Sequence, residues 1–481
     1  MGLPDSRRRR AGGVVRLALA AALFCACANA GTGPSIPAPR VQAFLDTLEQ
    51  RTFSFFWERT DPQTGLSPDR WPTQSFSSIA AVGFALTAYP VGVEKGFVSR
   101  AAAADRTLNT LRFFYRLPQG TAASGTGGYQ GFFYHFVDPS SGLRFQTVEL
   151  STVDTALLLG GVLFCREYFG GTDPVESAIR AYADSLYRRV NWQWARPRPP
   201  MIAMGWTPES GFHQLDWRGY NEAMLVYILA LGSPTFPIDP AAWQEWTSTY
   251  QWGDYRGGQA HVGFAPLFGH QYSHVWIDFR GIRDAYMRGR GIDYFENSRR
   301  ATYAQRAYAI ANPDGWRGYG QHVWGLTASD GPADVTLPYG GRDRRFFTYA
   351  ARGVSFTEVR DDGTIAPTAA GGSRPFAPEI AGPALVTMRE RYGDGLFGQY
   401  GFLDAFNPTW QWTSQPLTHG RVLAGLGWFD TDYLGIDQGP ILAMIANYRS
   451  DLIWKHMRQS PYVIEGLRRA GFQGGWLDSA P

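Results

Sequence analysis

Apolar residues recur at helical spacing in segment after segment of this 481-residue chain, and one short stretch alone is patterned for strands. Val41, Phe44, Leu45, Leu48, Phe55 and Phe56 mark an amphipathic helix over roughly 41–58, ended by Pro62, Gly65, Pro68 and Pro72. The same reading predicts helices at Ser77–Tyr89, Phe97–Leu117 and Ser151–Phe169. Another follows Asp173, where an Asp N-cap precedes Pro174 and Glu176. Further helices are expected at 221–231, 240–248, 275–288, 292–311, 378–392, 437–456 and 460–470, about twelve or thirteen in all. Gly131–Val137 and Leu143–Val148, on either side of Asp138-Pro139-Ser140-Ser141-Gly142, read as a β-hairpin. Between 312 and 376 the pattern dissolves into Gly, Pro and Asp with interspersed Tyr and Trp; long irregular segments of this kind often line a site. The helices share no 34- or 40-residue motif, which argues against a solenoid; paired helices closing into a ring would suit the count.

Residues 1–30 read as an export leader. Arg7–Arg10 form a positive n-region, Ala11–Phe24 is a short apolar stretch, and Ala28-Asn29-Ala30 is a cleavage signal. Fewer than the roughly 20 apolar residues of a membrane-spanning helix are present. Cys27 follows Phe24-Cys25-Ala26, an imperfect lipobox, so a lipid tether to a membrane is one processing route. The expected organisation is a leader (1–30), a short linker (31–40) and one domain (41–481), periplasmic or membrane-anchored. Cleavage leaves only Cys165, in an apolar helical stretch suited to core packing.

The leader also carries the positive charge. The whole chain is +3, but five arginines and one acid lie in residues 1–30, so the remainder is −1. That balance argues against a nucleic-acid partner bound through a basic surface. Walker A, dinucleotide-binding and G-x-S-x-G patterns are missing, the glycines of 125–131 and 315–320 having the wrong spacing. His270, His274 and Asp278 fall four apart, yet Gln271 stands where a zinc protease needs Glu. No metal or cofactor is therefore expected.

What stands out is carboxylates at helix beginnings and among aromatics: Glu149, Asp154, Glu222 and Asp437, with Asp216 between Trp206 and Trp217. Capping explains several of them, since Ser151-x-x-Asp154 resembles a capping box and an acid is favourable at a helix N-terminus. Glycosidic bond cleavage is the functional alternative. It needs one carboxylic acid to protonate the leaving oxygen and a second carboxylate to activate water or attack carbon. It also uses flat aromatic surfaces for sugar C–H faces. Charged residues are 18% of the chain, below the roughly 25% of average proteins, while the 17 tryptophans suit a sugar cleft.

Long motifs carry a resemblance. Glu149-Leu150-Ser151-Thr152-Val153-Asp154-Thr155-Ala156, Gly219-Tyr220-Asn221-Glu222-Ala223-Met224 and the segment Phe268–Arg280 are similar to the bacterial glycoamylase-like family, close to glycoside hydrolase family 144. So are Asp361-Asp362-Gly363-Thr364-Ile365-Ala366-Pro367, Phe376–Ile380 and Tyr433-Leu434-Gly435-Ile436-Asp437-Gln438-Gly439-Pro440. The resemblance implies an all-α (α/α)6 toroid, here with a small β-hairpin and aromatic-rich loops, and a site at one end of the ring. It implies inverting hydrolysis of β-1,2-glucan to sophorose or short sophoro-oligosaccharides; transglycosylation, action on another glucan and sugar binding without catalysis are the alternatives. Inversion would set the paired carboxyls roughly 6.5–9.5 Å apart.

The same resemblance, together with the residues themselves, makes Glu222 the candidate proton donor. Asp154 or Glu149 would handle water or sugar hydroxyls, with Asp437 as reserve base. His270, His274, Asp278, Arg280 and Asp362 would contact sugar hydroxyls, and Trp206, Trp217 and Trp324 would stack. The chain departs from the family where Met444-Ile445-Ala446-Asn447-Tyr448 carries Ala446 in place of a frequent Glu.

Overall fold

A computed structural model describes residues 36–255 and 258–480. The leader, Cys27 and most of the linker lie outside these residues. Helices come in pairs along the chain. Helix α1 (Ala38–Arg59) leads to α2 (Ile79–Glu94), α3 (Arg100–Arg116) to α4 (Thr152–Tyr168) and α5 (Pro174–Arg188) to α6 (Met224–Leu231). After them come α7 (Ala241–Ser248) and α8 (Tyr272–Trp276), the short α9 (Ala285–Arg290), α10 (Tyr294–Ala311) and α11 (Pro367–Gly371), then α12 (Pro378–Tyr392) and α13 (Gly435–Ser450). Two closing helices, α14 (Leu452–Met457) and α15 (Pro461–Arg469), complete the set.

Composition decides which member of each pair is inside. Every residue of α6 and α8 is buried, as is nearly every residue of α2 and α4, so these helices have no polar face to give to water. Helices α3 and α5 bury one stripe and expose the other face. The result is an inner ring of α2, α4, α6, α8, α11 and α13, wrapped by α1, α3, α5, α7, α10 and α12: the (α/α)6 toroid. Glycines allow the closest approach, since a Cβ on Gly161 of α4 would stand 2.1 Å from the Gly83 carbonyl oxygen of α2. Among the described residues, no helix is long and apolar enough to cross a membrane.

Each outer helix returns the chain, so the inner helices all run one way and their N-termini gather at one end. The bonds between their starts show it. His135 links α2 to α4, its carbonyl accepting from Ile79 N and its N–H donating to Glu149 O. Ser273 Oγ donates to Glu222 O (3.0 Å) between α8 and α6, and Thr368 Oγ1 to Asp437 O (3.1 Å) between α11 and α13. Gly435 N donates to Asp69 O, joining α13 to the loop before α2. Short strands roof this end. The largest sheet has five of them and joins Gly128–Tyr129, Phe132–Tyr134, Leu150–Ser151, Gly205–Thr207 and Gly211–Phe212.

Several boundaries differ from the sequence expectation. The first helix starts at Ala38, inside the expected linker. The helix expected at 275–288 is two, α8 and α9, separated by extended backbone around Ile277, and Asp284 caps the second. Asp451 in the left-handed conformation (φ 59°) splits 437–456 into α13 and α14. Residues 143–148 form no regular strand: only an isolated bridge, Val137 to Arg144, closes the loop, and Phe136–Val137 pairs instead with Ser77–Ser78. The irregular stretch 312–376 contains antiparallel ladders, Ala328–Asp330 with Tyr349–Ala351 and Val335–Tyr339 with Arg342–Phe346, followed by α11. Gly and Asp masked their alternation.

Candidate active site

Six inner-helix N-termini meeting at one end concentrate partial positive charge, which favours acidic groups there. Glu222 sits in the turn two residues before α6, held by the Ser273 bond to its carbonyl. Its Oε2 is buried and has no hydrogen-bond partner among the described residues. Burial pushes its pKa up to about 7, and the nearby Asp154 charge adds to the rise. An acid that still holds its proton near neutrality is what donation to a leaving oxygen requires.

Asp154 and Glu149 enclose His135. Glu149 Oε1 lies 2.8 Å from His135 Nδ1, and Asp154 Oδ1 lies 3.5 Å from Nε2. Burial opposes charging of the imidazole, but the two carboxylates outweigh it and lift its pKa to about 9. His135 in turn holds Glu149 below its ordinary range, against the upward effect of burial. Asp154 also serves locally: Ser151 Oγ caps the helix by accepting from Asp154 N (3.2 Å), and its hydroxyl, rather than a backbone N–H as in a full capping box, donates to the Asp154 carboxylate.

Asp437 occupies the first turn of α13, and among the described residues no N–H or hydroxyl donor reaches its buried Oδ2. Burial raises its pKa to about 7, partly offset by a hydrogen bond from Asp404. Asp404 itself is raised well above the carboxylate range by burial and by the Asp437 and Asp330 charges. The two titrate as a pair that holds a proton. Behind them lie Asp330, Asp430, Asp432 and Asp69, with Arg70 2.7 Å from Asp330, 3.3 Å from Asp69 and 3.8 Å from Asp432. Asp330, Asp404 and Asp430 bring one oxygen each within 4.8 Å of the others, the grouping among the described residues that could hold a metal ion. Arg70 already supplies a cation to Asp330, so shared protons fit this set without one.

Two tyrosines bridge the halves of the site. The Tyr272 and Tyr349 hydroxyls both feel the charges of Glu222, Asp404 and Asp437, so these carboxyls border one space. Tyr349 pairs with Asp330 across neighbouring strands, which puts both side chains on one face, and it is 61% exposed. A large exposed ring above buried carboxylates is a ready surface for a sugar.

The other candidates have packing, hydrogen-bond or ion-pair partners of their own. His270 and His274 are fully buried, bonded to Phe264 O (3.0 Å) and Ser298 Oγ (3.1 Å), and burial drives both pKa values down to about 3. They are neutral packing residues. Asp278 is bound by Arg280 and Arg458, and Arg280 also reaches Asp451 and lies over Trp454, so this network stands at the C-terminal end of the inner helices. Asp362 is taken up by Arg352 (2.7 and 2.8 Å), Asp216 by Arg198, and Trp324 is buried beside Ile365 and Ala369. Trp217 is buried with its Nε1 on Thr152 Oγ1, and Trp206 shares the face of Leu150 and packs on Tyr129 and Trp194. Ala446 lies nine residues beyond Asp437 in α13, about 14 Å along the axis, so the departure there falls away from the site.

Asp404, Asp330, Asp430, Asp432, Asp69, Arg70, Tyr349 and His135 were not legible as site residues. Their one signal is an acid or base set directly against large apolar neighbours, as in Phe402-Leu403-Asp404-Ala405-Phe406 and Phe429-Asp430-Thr431-Asp432-Tyr433.

Known proteins resemble this chain in sequence and fold. An exo beta-1,2-glucooligosaccharide sophorohydrolase (non-reducing end) of Parabacteroides distasonis is 29% identical over 466 residues; the match covers 89% of this chain and 58% of that protein, so the chain spans under two thirds of its relative's length. A crystal structure from Bacteroides uniformis superposes with a TM-score of 0.76 at 32% identity, covering 91% of this chain and 98% of its own. The endo-beta-1,2-glucanase of Chitinophaga pinensis, in complex with sophorotriose and glucose, gives 0.76 at 28% identity, with 91% and 99% covered. Residues 214–461 match the glycoamylase family model, described as "Putative glucoamylase", and the chain belongs to that family.

Proposed function

We propose that the protein hydrolyses β-1,2-linked glucan by an inverting acid/base mechanism, as an exported enzyme. The observation that carries the reading is the pairing, around one space, of a protonated donor and a proton-sharing acceptor: Glu222 on one side, Asp404 and Asp437 on the other. In the reaction, water oxygen attacks the anomeric carbon as the glycosidic C–O bond breaks. Glu222 gives its proton to the leaving oxygen, and the ionised Asp404–Asp437 pair takes the proton of water. Glu149, held below its ordinary range by the protonated His135, is a poor base, and both it and Asp154 can accept from sugar hydroxyls. Support for the linkage comes from the β-1,2-glucan hydrolases above, which cover most of the chain.

The test is digestion of linear β-1,2-glucan alongside β-1,3-, β-1,4- and α-1,4-glucans, with product sizing and anomer detection. New reducing ends and sophoro-oligosaccharides of inverted configuration from the β-1,2 polymer alone support the reading. Longer or cyclic products would make the protein a transglycosylase instead, and binding without any change in chain length would make it a sugar-binding protein.

A further inference from the structure

Arg352 is wholly buried, and none of its hydrogen bonds reaches the substrate space directly. It forms a bidentate pair with Asp362 and spends Nη1 on Ser329 O (2.7 Å), Ser329 Oγ (3.0 Å) and Asp330 O (3.2 Å); Nη2 also reaches Phe347 O (3.1 Å). Asp362 is saturated in turn by the N–H groups of Phe347 and Thr364. The Ser329 carbonyl is one end of a peptide unit whose other end is the Asp330 N–H. That N–H donates to Asp404 Oδ2 at 2.7 Å. A cation therefore pulls on the oxygen of the same peptide whose hydrogen is offered to a member of the proposed base pair.

We propose that Arg352 is a positioning residue that tunes the Asp404–Asp437 pair through the Ser329–Asp330 peptide. Hydrogen bonds in series polarise one another, so the guanidinium on the carbonyl makes the N–H a stronger donor. A stronger donor stabilises the ionised pair and makes it more acidic. The relay works against its neighbours. Asp330 and Asp430 raise the pKa of the pair through repulsion, the Tyr272 and Tyr349 hydroxyls face it, Arg70 is a second cation within reach, and His419 lies 3.8 Å from Asp330. Asp362 has a second part in this. By neutralising Arg352 it limits how far the relay can pull.

The inference rests on the hydrolase reading and makes two predictions of opposite sign. The acidic limb of the kcat/KM–pH profile on linear β-1,2-glucan reports ionisation of the base. In a folded Arg352→Gln/Asp362→Asn double variant the limb should move up by about half a unit, a roughly threefold loss at a pH on that limb. In Asp362→Asn alone, with Arg352 unneutralised, it should move down. A purely structural knot would lower kcat at every pH and leave the limb in place for both. Limbs that stay put, or that move together, overturn the proposal, as does an Asp404→Asn variant with a wild-type profile. If the double variant fails to fold, the downward shift in Asp362→Asn decides alone. Wild-type protein inactive on β-1,2-glucan would instead end the hydrolase reading before any variant is compared.

Discussion

His135 Nδ1 lies 2.8 Å from Glu149 Oε1, and the pair sits at the mouth of the ring with Asp154 on the far side of the imidazole. The carboxylates lift the imidazole from an ordinary 6.5 to about 9. A base with a raised folded-state pKa stabilises the fold fully below its unfolded value, and that contribution fades as pH rises through the folded value. Wild-type stability should therefore decline between about pH 6.5 and 9. The imidazole is 29% exposed, so solvent trims the gain to on the order of 2 kcal/mol. Thermal melts of wild type and His135→Gln across this range should converge by about pH 9.5; parallel curves would show that the imidazole carries no such charge.

Glu222 should dominate turnover. Glu222→Gln keeps the shape of the side chain and removes the proton, so kcat should fall about 10²–10⁴-fold with KM little changed. The wild-type profile should lose activity on its alkaline side near pH 7, where the buried acid gives up its proton. Steady-state kinetics on linear β-1,2-glucan read both; a loss within tenfold removes Glu222 from the donor role.

The helices were legible because they depend on things a sequence shows directly: apolar periodicity, caps such as Asp173, and the unbroken apolar runs of α4 and α6; their closure into a toroid was implied by the family resemblance, not by periodicity. Four of the acids at the mouth were also legible, since helix beginnings mark Glu149, Asp154, Glu222 and Asp437. The rest of the site was hidden for two reasons. Asp330, Asp404 and Asp430 come from short strands and loops far apart in the chain, joined only when the ladders around 328–354 and the loops at 397–434 close over the ring. Spacing also cannot tell which face of a helix meets the cavity. His270, His274 and Asp278 do lie close in sequence, yet the first two face packed rings, and the third follows the end of α8 and faces two arginines.

Tyr349 separates sugar contact from fold. Its ring is exposed, so truncation should cost little stability while removing a surface above Asp330. Tyr349→Ala should raise KM for sophoro-oligosaccharides by about 5–10-fold, in line with an aromatic contact worth about 1 kcal/mol. Tyr349→Phe, which keeps the ring, should stay near wild type. Equal losses in both variants would assign the effect to the hydroxyl instead.

Trp324 gives the opposite pattern. It is 1% exposed, in a core cluster with Val323, Ile365, Ala369 and Ile441. A large aromatic replaced in a packed core leaves a cavity that its neighbours only partly fill, and Trp324→Ala should lower unfolding free energy by about 3–5 kcal/mol. Because the indole offers no face to the substrate, KM measured on the fraction that stays folded should match wild type. Denaturant melts and steady-state kinetics on the same preparation distinguish the two roles: a raised KM with unchanged stability would return Trp324 to the sugar-stacking surface that its place in an aromatic loop first suggested.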